Sequence, residues 1–478
     1  MPGAAKVIAV ALALAALLPA TGTPPAAGQV PALGPCQRAA ELPPGAPVNV
    51  ELATVTATEA TITWLTCAAG SPAVADAAVT VYGPGLARRT FLGSPDTPYH
   101  LVRLTGLEPG TTYAYTVSSN GITAPVDRAN PGAFTTLSPP PGNHLFAFAV
   151  LADIHVGEDV SGLATSSPAE LPPGYRSERD YPEEMLAAAV DAINAGDASL
   201  TLVTADNSSH GQLAELRAAR RLLDGLDHRY LVARGSHDRP NQYQRARKDC
   251  PGDGDCFRVV FRPGVKGGLE PRPRPAALVH RGYRFIALDS ADPTSGQGTL
   301  GSKQLAWLER QLLAATRAEQ PVVIFFHHPV AEYSTTAAVP PAIFGVNQAD
   351  AQALLELIGR FDVRLVINAH THRNWIAYSP RTGRMPIIET GPTKEYPGGY
   401  TLIDVYEGGL MRTWHPIDCR FCNAWRETTR GEYFTLYPYY TLGSVRDRNF
   451  THVFEGPDVP GVPSLPLGLW PPGLPPEA

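Results

Sequence analysis

Aspartate and histidine recur in five short clusters, and each cluster comes directly after an apolar segment of the chain. The clusters are Asp153-Ile154-His155, Ala205-Asp206-Asn207, Gly235-Ser236-His237-Asp238, His327-His328-Pro329 and Ala369-His370-Thr371-His372. Carboxylates and imidazoles are side chains that bind transition-metal ions when they converge in space. Six of the 13 histidines belong to these clusters, so a common role is favoured over chance surface turns. The pattern therefore predicts a metal centre.

The apolar segments before the clusters have the composition of buried strands, and segments with helical spacing separate them. The predicted strands are Leu145 to Ala152, Leu200 to Thr204, Tyr230 to Ala233, Phe285 to Leu288, Val322 to Phe326 and Arg364 to Ile367. The predicted helices are Tyr181 to Ala195, Gln212 to Leu226, Leu300 to Thr316 and Gln348 to Ile358. This alternation is typical of a layered α/β domain. Because ligands gather beyond the carboxyl ends of such strands, the clusters should meet at one rim.

Residues 46–138 have a different pattern, made of short alternating strands. Val48 to Leu52 and Thr61 to Trp64 are two of them, and they predict a small all-β sandwich. The turn Leu107-Glu108-Pro109-Gly110 precedes a strand at Tyr113, which is typical of a tyrosine corner, where the hydroxyl bonds back to upstream backbone. The segment therefore resembles a fibronectin type III-like domain.

The two ends of the chain differ from the rest in composition. Lys6, the apolar run from Val7 to Leu18, and the small residues up to Gly22 predict a secretory signal peptide over residues 1–22. The apolar run is too short to span a bilayer, and no later segment is long and apolar enough. We therefore expect a secreted or extracytoplasmic protein without a transmembrane segment. Residues 23–45 are expected to be a linker, and residues 456–478 a Pro-rich tail.

The chain has six cysteines, an even number that agrees with an oxidising compartment. Local pairing is the simplest arrangement and predicts disulfides 36–67, 250–256 and 419–422. The spacing Cys419-Arg420-Phe421-Cys422 is also compatible with a redox-active pair or half of a zinc knuckle. No helix-opening pattern follows it and no second pair lies nearby, so a structural disulfide is favoured.

Length and charge restrict the remaining possibilities. At 478 residues the chain is too long for one ordinary domain, and we place the α/β domain at residues 144–415 with a C-terminal extension at 416–455. The formal net charge of −6 provides no basic surface, so no nucleic-acid partner is predicted. The oligomeric state is left open.

The order of the five clusters resembles the signature of the calcineurin-like metallophosphoesterase superfamily, which reads Asp-x-His, Gly-Asp, Gly-Asn-His-Asp/Glu, His-x-Pro and Gly-His-x-His. Its members include purple acid phosphatases, cyclic-nucleotide phosphodiesterases and 5′-nucleotidases. With an all-β domain upstream, the layout is most similar to the purple-acid-phosphatase branch and its bacterial relatives. The resemblance covers roughly residues 46–415. It implies a metal-dependent phosphoric ester hydrolase that acts on a small phosphorylated substrate.

The resemblance also implies a role for each clustered residue. The six implied metal ligands are Asp153, His155 and His372 for one ion, His327 and His370 for a second, and Asp206 as a bridge. His327 is preferred to His328 because the family ligand lies two residues before the proline. His237 would face the scissile phosphate and stabilise or protonate the departing oxygen, and Asp238 would orient His237 or its loop. The two ions would be divalent or trivalent Fe, Zn or Mn, since imidazoles suit these better than Mg or Ca.

The chain departs from the family pattern at a few positions. Ser236 replaces the asparagine that binds the second metal, so this site is expected to be weaker, with Asn207 as a possible replacement ligand. Ser209 stands where purple acid phosphatases carry an iron-binding tyrosine, which argues against a purple ferric–tyrosinate centre. Alanine replaces glycine at Ala205 and Ala369, which is tolerable where φ is negative.

Three hypotheses of function follow from these residues. The leading one is an exported dinuclear-metal phosphoesterase that hydrolyses monoesters or diesters with a metal-activated water. A second is a catalytically weakened or inactive surface-binding relative, motivated by Ser236 and opposed by the retention of His237. A third is a structural zinc protein, although structural zinc sites seldom use so many ligands.

Overall fold

The computed structural model describes residues 35–39, 41–161, 171, 174–239, 250, 255–261, 276–292, 296–330, 345–379, 381–383, 385–432 and 437–454. The predicted signal peptide, most of the predicted linker and the Pro-rich tail lie outside these residues. Within the described residues, no helix combines the length and the apolar character needed to span a membrane.

The N-terminal part of the chain forms two antiparallel sheets that pack face to face. Its strands are β1 (Ala46–Val55), β2 (Glu59–Ala68), β3 (Ser71–Pro72), β4 (Ala78–Gly83), β5 (Leu86–Leu92), β6 (Tyr99–Thr105), β7 (Thr112–Ser119), β8 (Ile122–Thr123) and β9 (Ala133–Thr135). Strand β2 pairs with β1, β3 and β6, whereas β4 pairs with β5 and β7, and β7 with β8 and β9. Side chains from both sheets, such as Ile62, Trp64 and Val79, share one buried core.

The tyrosine corner predicted for this sandwich is present. The backbone N–H of Glu108 donates a hydrogen bond of 3.0 Å to the hydroxyl of Tyr113, which is 1% exposed. This bond fixes the turn that leads into β7. The predicted all-β sandwich is therefore seen, while its assignment as a fibronectin type III-like domain and all the predicted domain boundaries stay predictions.

The larger part of the chain contains two six-stranded sheets. Their strands are β10 (His144–Leu151), β11 (Ala198–Val203), β12 (Arg229–Val232), β13 (Ala276–His280), β14 (Tyr283–Ala287), β15 (Val322–Phe325), β16 (Val363–Asn368), β17 (Trp375–Tyr378), β18 (Pro386–Glu389), β19 (Gly399–Tyr406), β20 (Gly409–Pro416) and β21 (Phe450–Val453). The order of the first sheet is β12-β11-β10-β19-β20-β21, and that of the second is β13-β14-β15-β16-β18-β17. Strands β10 to β12 are mutually parallel, as are β14, β15, β16 and β18.

Helices cover the outer faces of both sheets. The helices of the described residues are α1 (Pro35–Arg38), α2 (Tyr181–Asn194), α3 (Leu213–Leu223), α4 (Cys256–Val260), α5 (Gly301–Arg317), α6 (Gln348–Ile358), α7 (Arg420–Thr429), α8 (Tyr437–Thr441) and α9 (Val445–Arg448). Of these, α1 packs on strands β1 to β3 of the sandwich instead. The inner faces of the sheets pack on each other through residues such as Phe148 and Phe325. Met185 of α2 belongs to the core outside the first sheet, and Leu308 of α5 to the core outside the second. This four-layer arrangement confirms the predicted α/β class.

All three predicted disulfides are present, joining Cys36 to Cys67, Cys250 to Cys256 and Cys419 to Cys422. The expectation that no helix opens at the last pair was wrong, because α7 begins at Arg420. The backbone N–H of Cys422 donates to the Sγ atom of Cys419. A sulfur therefore occupies the position usually held by a Ser, Thr, Asp or Asn side chain, so the usual sequence signal was missing.

Candidate metal centre

The five clusters follow five parallel strands and come together at one rim that both large sheets share. Strands β10, β11 and β12 of the first sheet precede three of the clusters, and β15 and β16 of the second sheet precede the other two. Four groups of candidate ligands have donor atoms within 4.8 Å of one another: His327, His328 and His370; Asp153, His155 and His372; His155, Asp206 and His237; and Asp153, Asp206 and His327. The predicted convergence of these segments is therefore observed.

Asp206 lies between the two predicted ion sites. Its Oδ2 atom is 3.5 Å from Nε2 of His155 and 3.1 Å from Nε2 of His327. On one side, Nε2 of His372 lies 3.7 Å from Oδ1 of Asp153. On the other, Nδ1 of His370 lies 2.9 Å from Nε2 of His327. The carboxylate of Asp206 therefore lies where it could bind both ions, either through Oδ2 alone or through one oxygen for each ion.

The chemistry of the donor atoms fits transition-metal ions. Asp153 and Asp206 are at most 1% exposed, so their carboxylates need compensation that water does not supply. The Nε2 atom of His155 and the Nδ1 atom of His327 are buried and make no hydrogen bond to any described residue. Buried carboxylates and imidazole nitrogens with unused lone pairs are what Zn, Fe or Mn ions require.

The electrostatics of the site favour the ligand forms of several of these groups. Burial, together with the nearby charge of Lys394, lowers the pKa of His155 to about 3. Burial also lowers the pKa of His370. Burial opposes ionisation of Asp206, but the neighbouring charge of His327 holds the pKa of this carboxyl well below its usual range. Neutral imidazole and ionised carboxylate are the forms that bind a metal ion.

The backbone of the clusters is unusual. Six residues in them have positive φ angles: Asp153 (46°), His155 (51°), Ala205 (96°), Asp206 (47°), His370 (71°) and His372 (53°). Non-glycine residues adopt such angles rarely, and they do so mainly at functional sites. At Ala205 the condition of a negative φ, under which alanine replaces glycine without strain, is not met, because the turn that leads into Asp206 lies in the left-handed region. Ala369 is not among the residues with positive φ.

His327 and His328 have different surroundings. Nδ1 of His328 is 2.9 Å from the hydroxyl oxygen of Ser290, and its Nε2 is 3.1 Å from the carbonyl oxygen of Gly296. Protein groups thus occupy both ring nitrogens of His328. His327 lies instead against Asp206 and His370. Its role as the ligand of the pair stays a prediction.

His237 also faces this rim. Its Nδ1 atom lies 2.8 Å from the carbonyl oxygen of Ser209, and because a carbonyl only accepts, Nδ1 carries the proton. Nε2 is therefore the ring nitrogen that remains for a substrate. The ring centroid of His237 lies 4.5 Å from that of His155. The ring is only partly buried, so a substrate can reach it.

Asp238 fastens the loops that carry these residues. Its carboxylate accepts hydrogen bonds from Asn207 Nδ2 (2.8 Å), from the backbone N–H and hydroxyl of Ser208 (2.9 and 2.8 Å) and from the N–H of Gly235 (3.0 Å). Asp238 therefore ties the loop of Asn207 and Ser208 to the loop that begins at Gly235. That it orients His237 or its loop for catalysis stays a prediction. Ser236 is 5% exposed beside it, and the Oδ1 atom of Asn207 is buried without a hydrogen bond to the described residues.

Three charged residues behind the site were not singled out from the sequence. Oε1 of Glu395 lies 2.7 Å from Nδ1 of His372, and Oε2 of Glu158 lies 3.2 Å from Nδ1 of His155. Lys394 lies between the two carboxylates, with Nζ 2.5 Å from Glu158 and 3.2 Å from Glu395. A carboxylate on Nδ1 leaves Nε2 of each imidazole directed at the ion. The only sequence signal for Lys394 and Glu395 was that two adjacent charged residues closely follow the buried strand β18.

Gly235 is required by the packing around Asp206. A Cβ atom at this position would lie 2.0 Å from Oδ1 of Asp206 and 2.4 Å from its backbone nitrogen. Gly235→Ala is therefore expected to displace this carboxylate and to weaken metal binding at least about tenfold, measured by metal content after dialysis. Gly196→Ala, where the nearest atom is at 3.6 Å, is the matched control. Full metal occupancy in a folded Gly235→Ala variant would contradict the placement of Asp206.

Comparisons with known proteins agree with this geometry. Residues 146–374 match the calcineurin-like phosphoesterase family. The chain is 27% identical over 224 residues to a probable cyclic nucleotide phosphodiesterase of Synechococcus sp., covering 45% of this chain and 74% of the relative. It is also 27% identical over 161 residues to the glycerophosphodiester phosphodiesterase GpdQ of Enterobacter lignolyticus, covering 34% of this chain and 50% of the relative.

Two solved structures show weaker similarity. A dimetal phosphatase from Danio rerio has a TM-score of 0.42 at 14% identity, covering 58% of this chain and 98% of the other. A purple acid phosphatase from yellow lupin has a TM-score of 0.39 at 14% identity, covering 78% and 72%. The family match contains all of the clustered Asp and His residues from Asp153 to His372. The similarity to the calcineurin-like phosphoesterase family is thus carried by residues 146–374.

Proposed function

We propose that this protein is an exported phosphoesterase that uses two metal ions to hydrolyse phosphate esters. The observation that carries the proposal is the position of Asp206, whose Oδ2 atom lies 3.5 Å from the His155 side of the rim and 3.1 Å from the His327 side. A buried carboxylate shared by two ligand groups is suited to holding two ions close together. A structural zinc site has no need of this second group.

Each group of residues at the rim would have a separate role in hydrolysis. Two bound ions would supply an activated water and a clamp on the phosphoryl oxygens. Glu158 and Glu395, at 3.2 and 2.7 Å, hold the rings of His155 and His372 in orientation. His237 presents Nε2 to the rim, where it would donate a proton or a hydrogen bond to the departing oxygen.

Phosphodiesters are the substrate class that we propose first. Both curated relatives reported above are named as phosphodiesterases, one for cyclic nucleotides and one for glycerophosphodiesters. Monoesters remain the alternative, since the same metal arrangement acts on either. Substrate choice would depend on the segments 156–179, 239–268 and 390–399, which follow clusters in the sequence; parts of the first two lie outside the described residues.

Export is proposed from two features. The sequence of residues 1–22 has the pattern of a signal peptide. The three disulfides fit an oxidising compartment. Fractionation of the native host, followed by N-terminal sequencing of the mature protein, would test this: a protein retained in the reducing compartment with residues 1–22 intact would contradict it.

A metal-binding relative with weak or no catalysis is the second candidate. Ser236 motivates it, because a buried serine replaces the asparagine of the family pattern and a hydroxyl is a shorter and poorer ligand. The position of His237 argues against this candidate, since its ring is held at the rim by Ser209 and packs beside His155.

Metal removal separates the two candidates. The metal-replete protein is expected to hold about two transition-metal ions per chain and to hydrolyse a bis-aryl phosphate, and to a lesser extent an aryl phosphate. Dialysis against a chelator should abolish hydrolysis, and Zn²⁺ or Mn²⁺ should restore it. If the replete protein binds metal but leaves both esters intact, the binding-protein candidate stands. If it binds no metal, the proposed function is wrong.

A further inference from the structure

A short buried loop connects the metal centre to the N-terminal sandwich. The 393–397 loop, defined as Thr393-Lys394-Glu395-Tyr396-Pro397, follows β18 and precedes β19. Lys394, Glu395 and Tyr396 are 4%, 0% and 2% exposed. Buried polar side chains need hydrogen-bond or ion-pair partners. The partners of these three residues lie on opposite sides of the loop, at the metal centre and in the sandwich.

The inner side of the 393–397 loop holds two of the predicted metal ligands. Glu395 contacts Nδ1 of His372 at 2.7 Å and shares Lys394 with Glu158. Glu158 in turn contacts Nδ1 of His155. A change in the backbone position of this loop would therefore move both carboxylates and tilt both imidazoles.

The outer side of the same loop is held by the sandwich. The hydroxyl of Tyr396 donates a hydrogen bond of 2.5 Å to Oε1 of Glu51, which lies on β1. Arg430 donates to the same oxygen from Nε at 2.8 Å and approaches it from Nη2 at 2.7 Å. Glu51 is 4% exposed, so this carboxylate binds its partners away from water, where charge-assisted hydrogen bonds are strong.

Helix α7 supports the loop at two further points. The backbone N–H of Tyr396 donates to Oγ1 of Thr429 at 2.9 Å, and the indole N–H of Trp425 donates to the carbonyl oxygen of Lys394 at 2.8 Å. These bonds fix the loop backbone from the side of α7 but leave the ring of Tyr396 to be placed by Glu51. Removal of one partner from a buried ionic group of this kind leaves an uncompensated polar or charged group behind.

We propose that the N-terminal sandwich positions the metal centre, with Glu51 and Tyr396 as positioning residues for His372 and His155. This inference rests on the proposed function, because it assumes that these histidines bind an ion. The connecting contacts join Glu51 to Tyr396, and the adjoining Glu395 and Lys394 to the imidazoles of His372 and, through Glu158, His155. The ion held by His327 and His370 lies outside these contacts.

Stepwise metal affinities of the full-length chain test the inference. Apoprotein would be titrated with Zn²⁺ in competition with a chromophoric chelator, in a His370→Ala background to isolate the ion at Asp153 and His155. Tyr396→Phe, which removes one oxygen atom, and Glu51→Gln are each expected to raise the dissociation constant of this ion about 3–10-fold, somewhat less than changes to groups that touch the ligands directly. In a His372→Ala background, which isolates the other ion, neither variant should change the constant.

Thr54→Val provides the matched control for loss of a sandwich contact. Thr54 also lies on β1 and is 2% exposed, and its hydroxyl donates a 2.6 Å hydrogen bond to the carbonyl oxygen of Trp414, outside the 393–397 loop. This variant should lower thermal stability while both Zn²⁺ constants stay at wild-type values. If Thr54→Val weakens Zn²⁺ binding as much as Tyr396→Phe does, the sandwich acts only as general support and the inference is overturned.

The remaining outcomes are also decisive. Wild-type constants in folded Tyr396→Phe protein overturn the inference and leave the proposed function intact. Absence of Zn²⁺ binding by the wild-type chain overturns both. If Glu51→Gln does not fold, Tyr396→Phe alone decides, because its ring still fills the buried space.

Discussion

Asp206→Asn is expected to lower kcat for phosphate-ester hydrolysis by about 10³-fold or more, equivalent to about 4 kcal/mol of lost transition-state stabilisation. The physical reason is its location between His155 and His327, with Oδ2 within 3.5 Å of an Nε2 atom on either side. An amide has a similar volume but no negative charge, so its oxygen is too weak a ligand to hold two cations together. Metal content should therefore fall from about two ions per chain to about one. Turnover of a bis-aryl phosphate and elemental analysis measure the two effects.

Asp404→Asn is a suitable control for this substitution. Asp404 also pairs with an imidazole, that of His144 at 2.9 Å, but it lies on β19 within the first sheet and belongs to none of the ligand groups at the rim. Its neutralisation should leave metal content and kcat near the wild-type values. A folded Asp206→Asn protein that keeps two ions and full turnover would show that the bridging role belongs to another group.

His237→Gln is expected to reduce kcat by about 10²–10³-fold without loss of metal. The backbone N–H of His237 donates to Asp206 at 2.9 Å, and this bond survives a change of side chain, so the ligand geometry should persist. What is lost is the imidazole that Ser209 holds with Nε2 at the rim. A glutamine cannot deliver a proton to the departing oxygen.

The leaving group of the substrate gives this prediction a specific signature. An alkyl ester, whose departing oxygen needs a proton, should suffer more than a nitrophenyl ester, whose oxygen leaves as a stable anion. His210→Gln is the matched control, since His210 lies nearby in sequence but is 48% exposed and pairs with Glu215. An equal loss with both esters would assign His237 to substrate binding instead of proton donation.

Much of the site could be predicted because its residues follow the ends of strands within a few positions in the sequence. Asp153 and His155 lie two and four residues beyond the end of β10, and the other clusters follow their strands in the same way. Since parallel strands end at a common edge, the apolar runs in the sequence suffice to predict that these side chains meet. The disulfides were predicted on a different ground, by pairing each cysteine with its nearest neighbour in the sequence.

Other features depended on contacts between distant segments. Glu158, Lys394 and Glu395 carry no local pattern, and the 2.5 Å contact between Lys394 and Glu158 joins residues 236 positions apart. The positive φ of Ala205 was equally hidden, because alanine normally indicates a negative φ and only the packing of the rim requires the opposite. The helix after Cys419 was missed for a similar reason, since a disulfide sulfur replaces the usual capping oxygen.

By itself, the amino-acid sequence determined the layered α/β class, the set of Asp and His residues at the rim, and the family that residues 146–374 match. These follow from local patterns: apolar strands, their alternation with helices, and polar clusters directly after them. The tertiary structure alone decided which protein groups occupy the ring nitrogens of His328, which carboxylates orient the imidazoles, and how Glu51 of the sandwich reaches the 393–397 loop. The physical reason is that hydrogen bonds between buried polar groups are specified by packing in three dimensions, and residues far apart in the chain supply both partners.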